Sequence, residues 1–137
     1  MKNSELINRL NQQLNRKVST LVRYMIQAAS INDGDHAVVR TMYLNEVGQK
    51  VEHAQYLADQ IVALGGTPIL KPTPASPPAT VREMLARDAT EEKTDQKIYL
   101  QLAFEAEKEM LVGLKMKLEQ QADDEHQHGY EKECLLW

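Results

Sequence analysis

Only one cysteine, Cys134, occurs in the 137 residues, so no internal disulfide can form and a reducing cytoplasm is the simplest context. Long apolar runs are missing as well. The N-terminal stretch MKNSELINRLNQQLNRK lacks the apolar core of a secretory signal, and no run approaches membrane-spanning length. Charge of one sign is nearly balanced: the formal net charge is −4, there is no Lys/Arg tail, and Lys2 alone makes no basic arm. That argues against a nucleic-acid binder relying on an overall basic surface. The period-two alternation of strands is almost absent. These absences leave the expectation of a cytoplasmic, helix-rich protein in one domain, residues 1–137, long enough to bury a core.

The apolar residues recur instead at steps of three and four. Asn3 or Ser4 can cap a first helix running to about Ile31, with the stripe Leu10, Leu14, Lys17, Leu21, Tyr24, Ala28, Ile31. Asn32-Asp33-Gly34-Asp35 reads as a turn, with Gly34 at positive φ and Asp35 capping the next helix. This second helix is expected from about His36 to Leu64, with the stripe Val39, Tyr43, Glu46, Lys50, His53, Leu57, Ile61, Leu64. Gly65-Gly66-Thr67-Pro68 ends it, and all five prolines fall between Pro68 and Pro78. Residues 65–79 therefore form an extended crossover along the molecule rather than a linker, since neither side has a complete core alone.

Thr80 or a neighbour starts a third helix with the stripe Val81, Leu85, Asp88/Ala89, Glu92, Tyr99, Ala103, and a tight turn is placed near residues 106–108. The fourth stripe reads Leu111, Leu114, Leu118, Gln121, Glu125, His128, Leu135, with Gly113 a mild weakness and Gly129 a potential break. Two short turns and one long crossover between helices 2 and 3 predict an all-α, antiparallel four-helix bundle.

Ionisable residues interrupt each stripe near one level: Lys17; Glu46, Lys50 and His53; Glu92; Glu125 and His128. Burying such groups is costly unless they pair or bind metal. Lys17 precedes Lys50 by the interval that separates Glu92 from Glu125, and His53 and His128 follow Lys50 and Glu125 by three. The two helix pairs thus repeat one pattern, with lysine in the first half and glutamate in the second. An E-x-x-H pair on one helix face can hold a cation between carboxylate and imidazole.

Over nearly its whole length the chain resembles the ferritin-like superfamily, and is most similar to bacterioferritins. The similarity rests on LNRKVSTLVRYMIQAA, HAQYLADQIVALGGTP, VREMLARD and the final EHQH, with LADQIVALGGTP shared by the Dps branch. The resemblance implies a di-iron site built from Glu, Glu-x-x-His, Glu and Glu-x-x-His, which oxidises Fe(II). Carried over, Glu92, Glu125, His128 and His53 are the candidate metal ligands, whereas Lys17 and Lys50 stand at two glutamate positions. An ammonium has no lone pair for a metal and repels a cation, and neighbouring Glu92 and Glu125 oppose its deprotonation.

The expectation is a degenerate site in which Lys17 and Lys50 face Glu92 and Glu125, with Glu46 an additional acid, and with neither cofactor nor ferroxidase activity. The alternative is a ferroxidase, iron-storage or Dps-like protein retaining one or two iron or zinc ions. Tyr24 sits where the family places a tyrosine beside the metals, read here as a packed hydrogen-bond donor. Val51 replaces the family's haem-gripping methionine, so no haem is expected. The family continues into a short fifth helix, whereas here nine residues follow His128. A homodimer or other small homo-oligomer is therefore expected rather than a closed shell, with no nucleic-acid or membrane partner and no protein partner named. Leu135, Leu136 and Trp137 form a sticky end expected to tuck onto the bundle or a neighbour.

Overall fold

The computed structural model describes residues 3–136. Four long helices form the bundle: α1 (Ser4–Ser30), α2 (Ala37–Ala63), α3 (Val81–Lys108) and α4 (Val112–Leu136). No strand occurs among the described residues, and no helix is long and apolar enough to cross a membrane. α1 packs most extensively on α2, and α3 on α4, with α1–α3 and α2–α4 contacts closing the bundle.

The ends of the helices refine the expected boundaries. Asn3 occupies the α1 N-cap at φ 67°, but its side chain makes no capping bond. At the first turn Asp33, not Asp35, is the cap: its side chain accepts from the His36 amide at 2.9 Å. Gly34 opens a short 3-10 turn, Gly34–His36, and has no positive φ. The left-handed glycine is Gly65 at φ 90°, which closes α2. Thr80 caps α3 through its hydroxyl, which accepts from the Glu83 amide at 3.2 Å and donates to the Glu83 carboxylate at 3.0 Å. The turn expected near residues 106–108 falls later, with Met110 at φ 60° between α3 and α4.

Gly129 does not break α4. It lies inside the helix, where an added Cβ would stand 3.4 Å from Glu92 Cβ, so the missing side chain lets α4 approach α3. Leu135 is exposed, while Leu136 packs on the core and its carbonyl accepts from Arg82 at 3.1 Å. Trp137, the last residue of the expected sticky end, lies outside the described residues.

The crossover is held to α1 by a side-chain ladder. Asn11 accepts from the Ile69 amide (2.8 Å) and donates to the Thr67 carbonyl (3.1 Å). Asn15 donates to the Ile69 carbonyl (2.7 Å) and accepts from the Lys71 amide, and Ser19 accepts from the Thr73 amide (2.9 Å). Four helical residues rise about 6 Å and two extended residues span about 6–7 Å, so the two periods stay in step.

Two apolar clusters fill the bundle. One gathers Leu6, Leu10, Leu14, Leu57, Ile61, Leu102 and Leu118 towards one end, the other Tyr24, Ile31, Val39, Met42, Tyr43 and Leu85 towards the other. Between them lies a belt of buried charge.

Candidate functional site

Three lysines, Lys17 on α1, Lys50 on α2 and Lys132 on α4, are completely removed from solvent. Four carboxylates at most 2% exposed face them: Glu46 on α2, Glu92 and Asp95 on α3, and Glu125 on α4. Lys50 donates to Glu92 Oε2 at 2.8 Å and to Glu125 Oε2 at 2.6 Å. Lys17 takes the other Glu125 oxygen at 2.8 Å and Asp95 Oδ2 at 3.1 Å. Lys132 pairs with Glu46 and lies 3.5 Å from Glu92 Oε1. Arg16, reaching in from the surface, donates to Asp95 at 2.9 Å and brings the positive charges to four. Four cationic side chains thus face four acids, all supplied by the protein itself.

The imidazoles bound the belt. His53 Nδ1 is 3.1 Å from Glu125 Oε1, and its Nε2 is 2.9 Å from Asp124, whose side chain is 44% exposed. His128 Nδ1 lies 3.5 Å from Lys50 Nζ and 3.8–3.9 Å from oxygens of Glu46, Glu92 and Glu125, while its Nε2 meets Gln49. Tyr24 donates to Glu92 Oε1 at 2.6 Å, and its ring carries Lys132 at 5.2 Å and Lys50 at 5.7 Å.

Burial works against every charge here, and the neighbours decide the outcome. For Lys17 burial favours the neutral amine, but Glu125 and Asp95 outweigh it and hold the ammonium well above the usual lysine range. Lys50 feels burial and the repulsion of Lys17, yet Glu92 and Glu125 keep its pKa raised. Burial raises Glu125, but Lys17 and Lys50 together hold it well below the ordinary carboxylate range. Asp95 is likewise lowered, since Lys17 and Arg16 overcome its burial. Glu92 goes the other way: burial and the Glu125 charge exceed the pull of Lys50, and its pKa rises to about 7.

All eight site residues singled out from the sequence come together: Lys17, Tyr24, Glu46, Lys50, His53, Glu92, Glu125 and His128. Lys132 and Asp95 are additions. Both sit in register, Lys132 four after His128 and Asp95 three after Glu92, but a stripe traced through apolar residues steps over them. A second polar knot adjoins the belt. Asp88 accepts from Arg23 (2.8 Å), Gln27 (2.8 Å) and Tyr43 (2.6 Å), which anchors α3 to α1 and α2.

Donor atoms of Glu46, Glu92 and His128, and of Glu92, Asp95 and Glu125, converge as two groups within 4.8 Å. A bundle of this topology, with paired carboxylates and imidazoles on its axis, belongs to the carboxylate-bundle class. Residues 7–136 match the ferritin-like domain, and the chain is a member of that family. A bacterial ferritin of Pseudomonas aeruginosa is 30% identical over 84 residues, 61% of this chain and 54% of that protein, so the match spans about half of that relative. A crystal structure of ferritin-like, diiron-carboxylate proteins from Bacillus anthracis str. Ames aligns with a TM-score of 0.92 at 32% identity, covering 97% of this chain and 96% of that one. These likenesses place the chain in the ferritin-like superfamily, near bacterioferritin.

Proposed function

We infer that this protein is a ferritin-like bundle whose axial di-iron site has been replaced by an internal ion network, and that it does not oxidise Fe(II). The observation carrying this reading is the Lys50 ammonium, 2.8 Å from Glu92 and 2.6 Å from Glu125, between the two carboxylates that would clamp adjacent cations. The residues do not fit a di-iron centre. A protonated lysine offers no lone pair, and Lys17, Lys50 and Lys132 already pair with oxygens of the acids that metal would need. The surrounding charges hold Lys17 and Lys50 in their protonated forms. The role left to such a molecule is a non-catalytic one, as an interaction or regulatory bundle, with neither haem nor metal required for its fold.

A second reading, a bundle that retains one or two iron or zinc ions and handles iron as a ferroxidase or Dps-like protein, draws support from the two convergent donor groups. Metal analysis of chelator-free protein, followed by Fe(II) addition under oxygen monitoring, decides between them. Stoichiometric metal with rapid Fe(II) oxidation sinks the first reading, and substoichiometric metal with background oxidation sinks the second.

On this reading the chain acts as one cytoplasmic domain that pairs with a second copy or joins another small homo-oligomer. The half-open apolar groove lined by Val18, Leu21, Val51, Ala58 and Leu70 on the α1–α2 face supports the pairing. Val51 lies on that face, 49% exposed, and offers no axial ligand to a haem. Light scattering is expected to give a dimer or another small homo-oligomer, and a hollow-shell mass would overturn that.

A further inference from the structure

One helical turn from the Lys17–Asp95–Glu125 contacts, towards the Leu10–Leu118 cluster, lie three uncharged polar side chains. Gln13 precedes Lys17 by four residues on α1, Tyr99 follows Asp95 by four on α3, and Gln121 precedes Glu125 by four on α4. Lys17 touches both Asp95 and Glu125, so this shared offset brings the three to one level of the bundle. They are 0%, 0% and 1% exposed. Among the described residues, neither end of the Gln121 amide nor Gln13 Oε1 has a hydrogen-bond partner, and the Tyr99 hydroxyl, which the Gln13 amide approaches, donates to no protein acceptor. Gln13 spends its amide nitrogen on Asp95 at 3.4 Å.

Donors and acceptors from three helices left unpaired at one buried level are not a stable arrangement, because each carries a desolvation cost that only a hydrogen bond offsets. Their chemistry is complementary to a small molecule with both donors and acceptors. The Tyr99 hydroxyl and the Gln121 nitrogen give protons, while the two amide oxygens receive them.

We propose that Gln13, Tyr99 and Gln121 form an internal binding site for ordered water, set between the ion network and the apolar core. A water can accept from Tyr99 or Gln121 Nε2 and donate to Gln13 Oε1 or Gln121 Oε1, within the two to four partners typical of buried water. Gln13 also lines a surface groove of about 410 Å³ between α1 and α3, bounded by Arg9, Gln12, Arg16 and Leu102, so the Gln13 side chain alone separates that level from the groove on this side. The site makes Gln121 a water ligand rather than a tolerated polar intrusion, and it stands whether or not the belt holds metal.

The test is a crystal structure of the full chain at a resolution that places solvent, paired with water–amide cross-relaxation on the nitrogen-15-labelled protein. A solvent peak within hydrogen-bond reach of Gln121 and of Tyr99 Oη or Gln13, together with a long-lived water signal on the Gln121 side-chain amide, is the expected result. Gln121→Met should abolish the solvent peak while the protein melts at the same temperature or higher. Tyr99→Phe, a milder change, should weaken the solvent peak and keep the fold. A dry volume, a direct Gln121–Tyr99 bond, or a Gln121→Met variant that keeps the peak overturns the proposal.

Discussion

The Lys50 ammonium stands 2.6 Å from Glu125 Oε2, and neither side chain reaches solvent. Their attraction is strong only because burial has removed the water that would screen it, and the same burial makes either partner expensive alone. Lys50→Met leaves Glu92 and Glu125 with one fewer cation. It is expected to lower stability in urea unfolding by about 3–5 kcal/mol, the range for breaking a buried pair from one side. Lys50→Met combined with Glu125→Leu should cost less than the sum of the single changes, a non-additivity measured by the double-mutant cycle.

Reversing the positive half of the belt tests the proposal that the ion network stands in place of a metal site. Lys17→Glu together with Lys50→Glu puts carboxylates at both positions where the family pattern has them, with Glu92, Glu125, His53 and His128 in place. Cation affinity, measured by calorimetric titration with a divalent metal, should rise on the order of a hundredfold, about 2.7 kcal/mol. Either change alone should chiefly destabilise the bundle. If the double variant binds no more metal than the parent, the account of a displaced di-iron site is wrong. Lys132 remains beside Glu46 and Glu92 in this variant, so adding Lys132→Met should tighten binding further.

The belt was largely legible in the sequence because helical spacing and ionisable residues are both one-dimensional signals. Lys17, Lys50, Glu92 and Glu125 repeat at a fixed interval, and that interval survives folding as a shared level on the axis. The partner choices were not legible. Asp95, rather than a second glutamate, completes Lys17, and Lys132 takes Glu46, because packing distances across the bundle axis decide which oxygen each nitrogen reaches. The caps were half legible for a related reason. Asp33 and Asp35 flank Gly34 and are equivalent as residue types, and only the backbone path selects Asp33. The Asn11–Asn15–Ser19 ladder leaves no trace in the helical pattern because its partner is the backbone of a distant segment.

Glu92 gives stability a pH signature of definite sign. Its folded pKa of about 7 exceeds the ordinary 4.5, so its contribution is present in full below 4.5 and is lost as pH rises through 7. Asp95 and Glu125 are lowered, so their contributions hold above the ordinary carboxylate range and fade on acidification. Denaturation midpoints should therefore decline from about pH 4.5 to 7, by no more than about 1.4 kcal/mol per pH unit, the limit for one proton. Glu92→Gln should flatten that slope while keeping the loss of stability below it. A wild-type profile that rises across the same window would show that Glu92 is ionised throughout.

The crossover offers a test of local order that leaves the belt untouched. Asn15 holds two backbone groups of the crossover, the Ile69 carbonyl and the Lys71 amide, and also donates to the Asn11 carbonyl within α1 at 2.8 Å, whereas the Ile69 amide depends on Asn11 and the Thr73 amide on Ser19. Asn15→Ala should cost about 1–2 kcal/mol, since it removes both bonds to the crossover at a partly solvated site, while the Asn11 carbonyl keeps its helical partner. Amide exchange should accelerate most at Lys71, with Ile69 and Thr73 retaining more protection because their acceptors remain. Equal acceleration at all three would mean that the ladder opens as one cooperative unit anchored at its centre. Unchanged exchange at Lys71 would mean that the prolines alone hold the extended path.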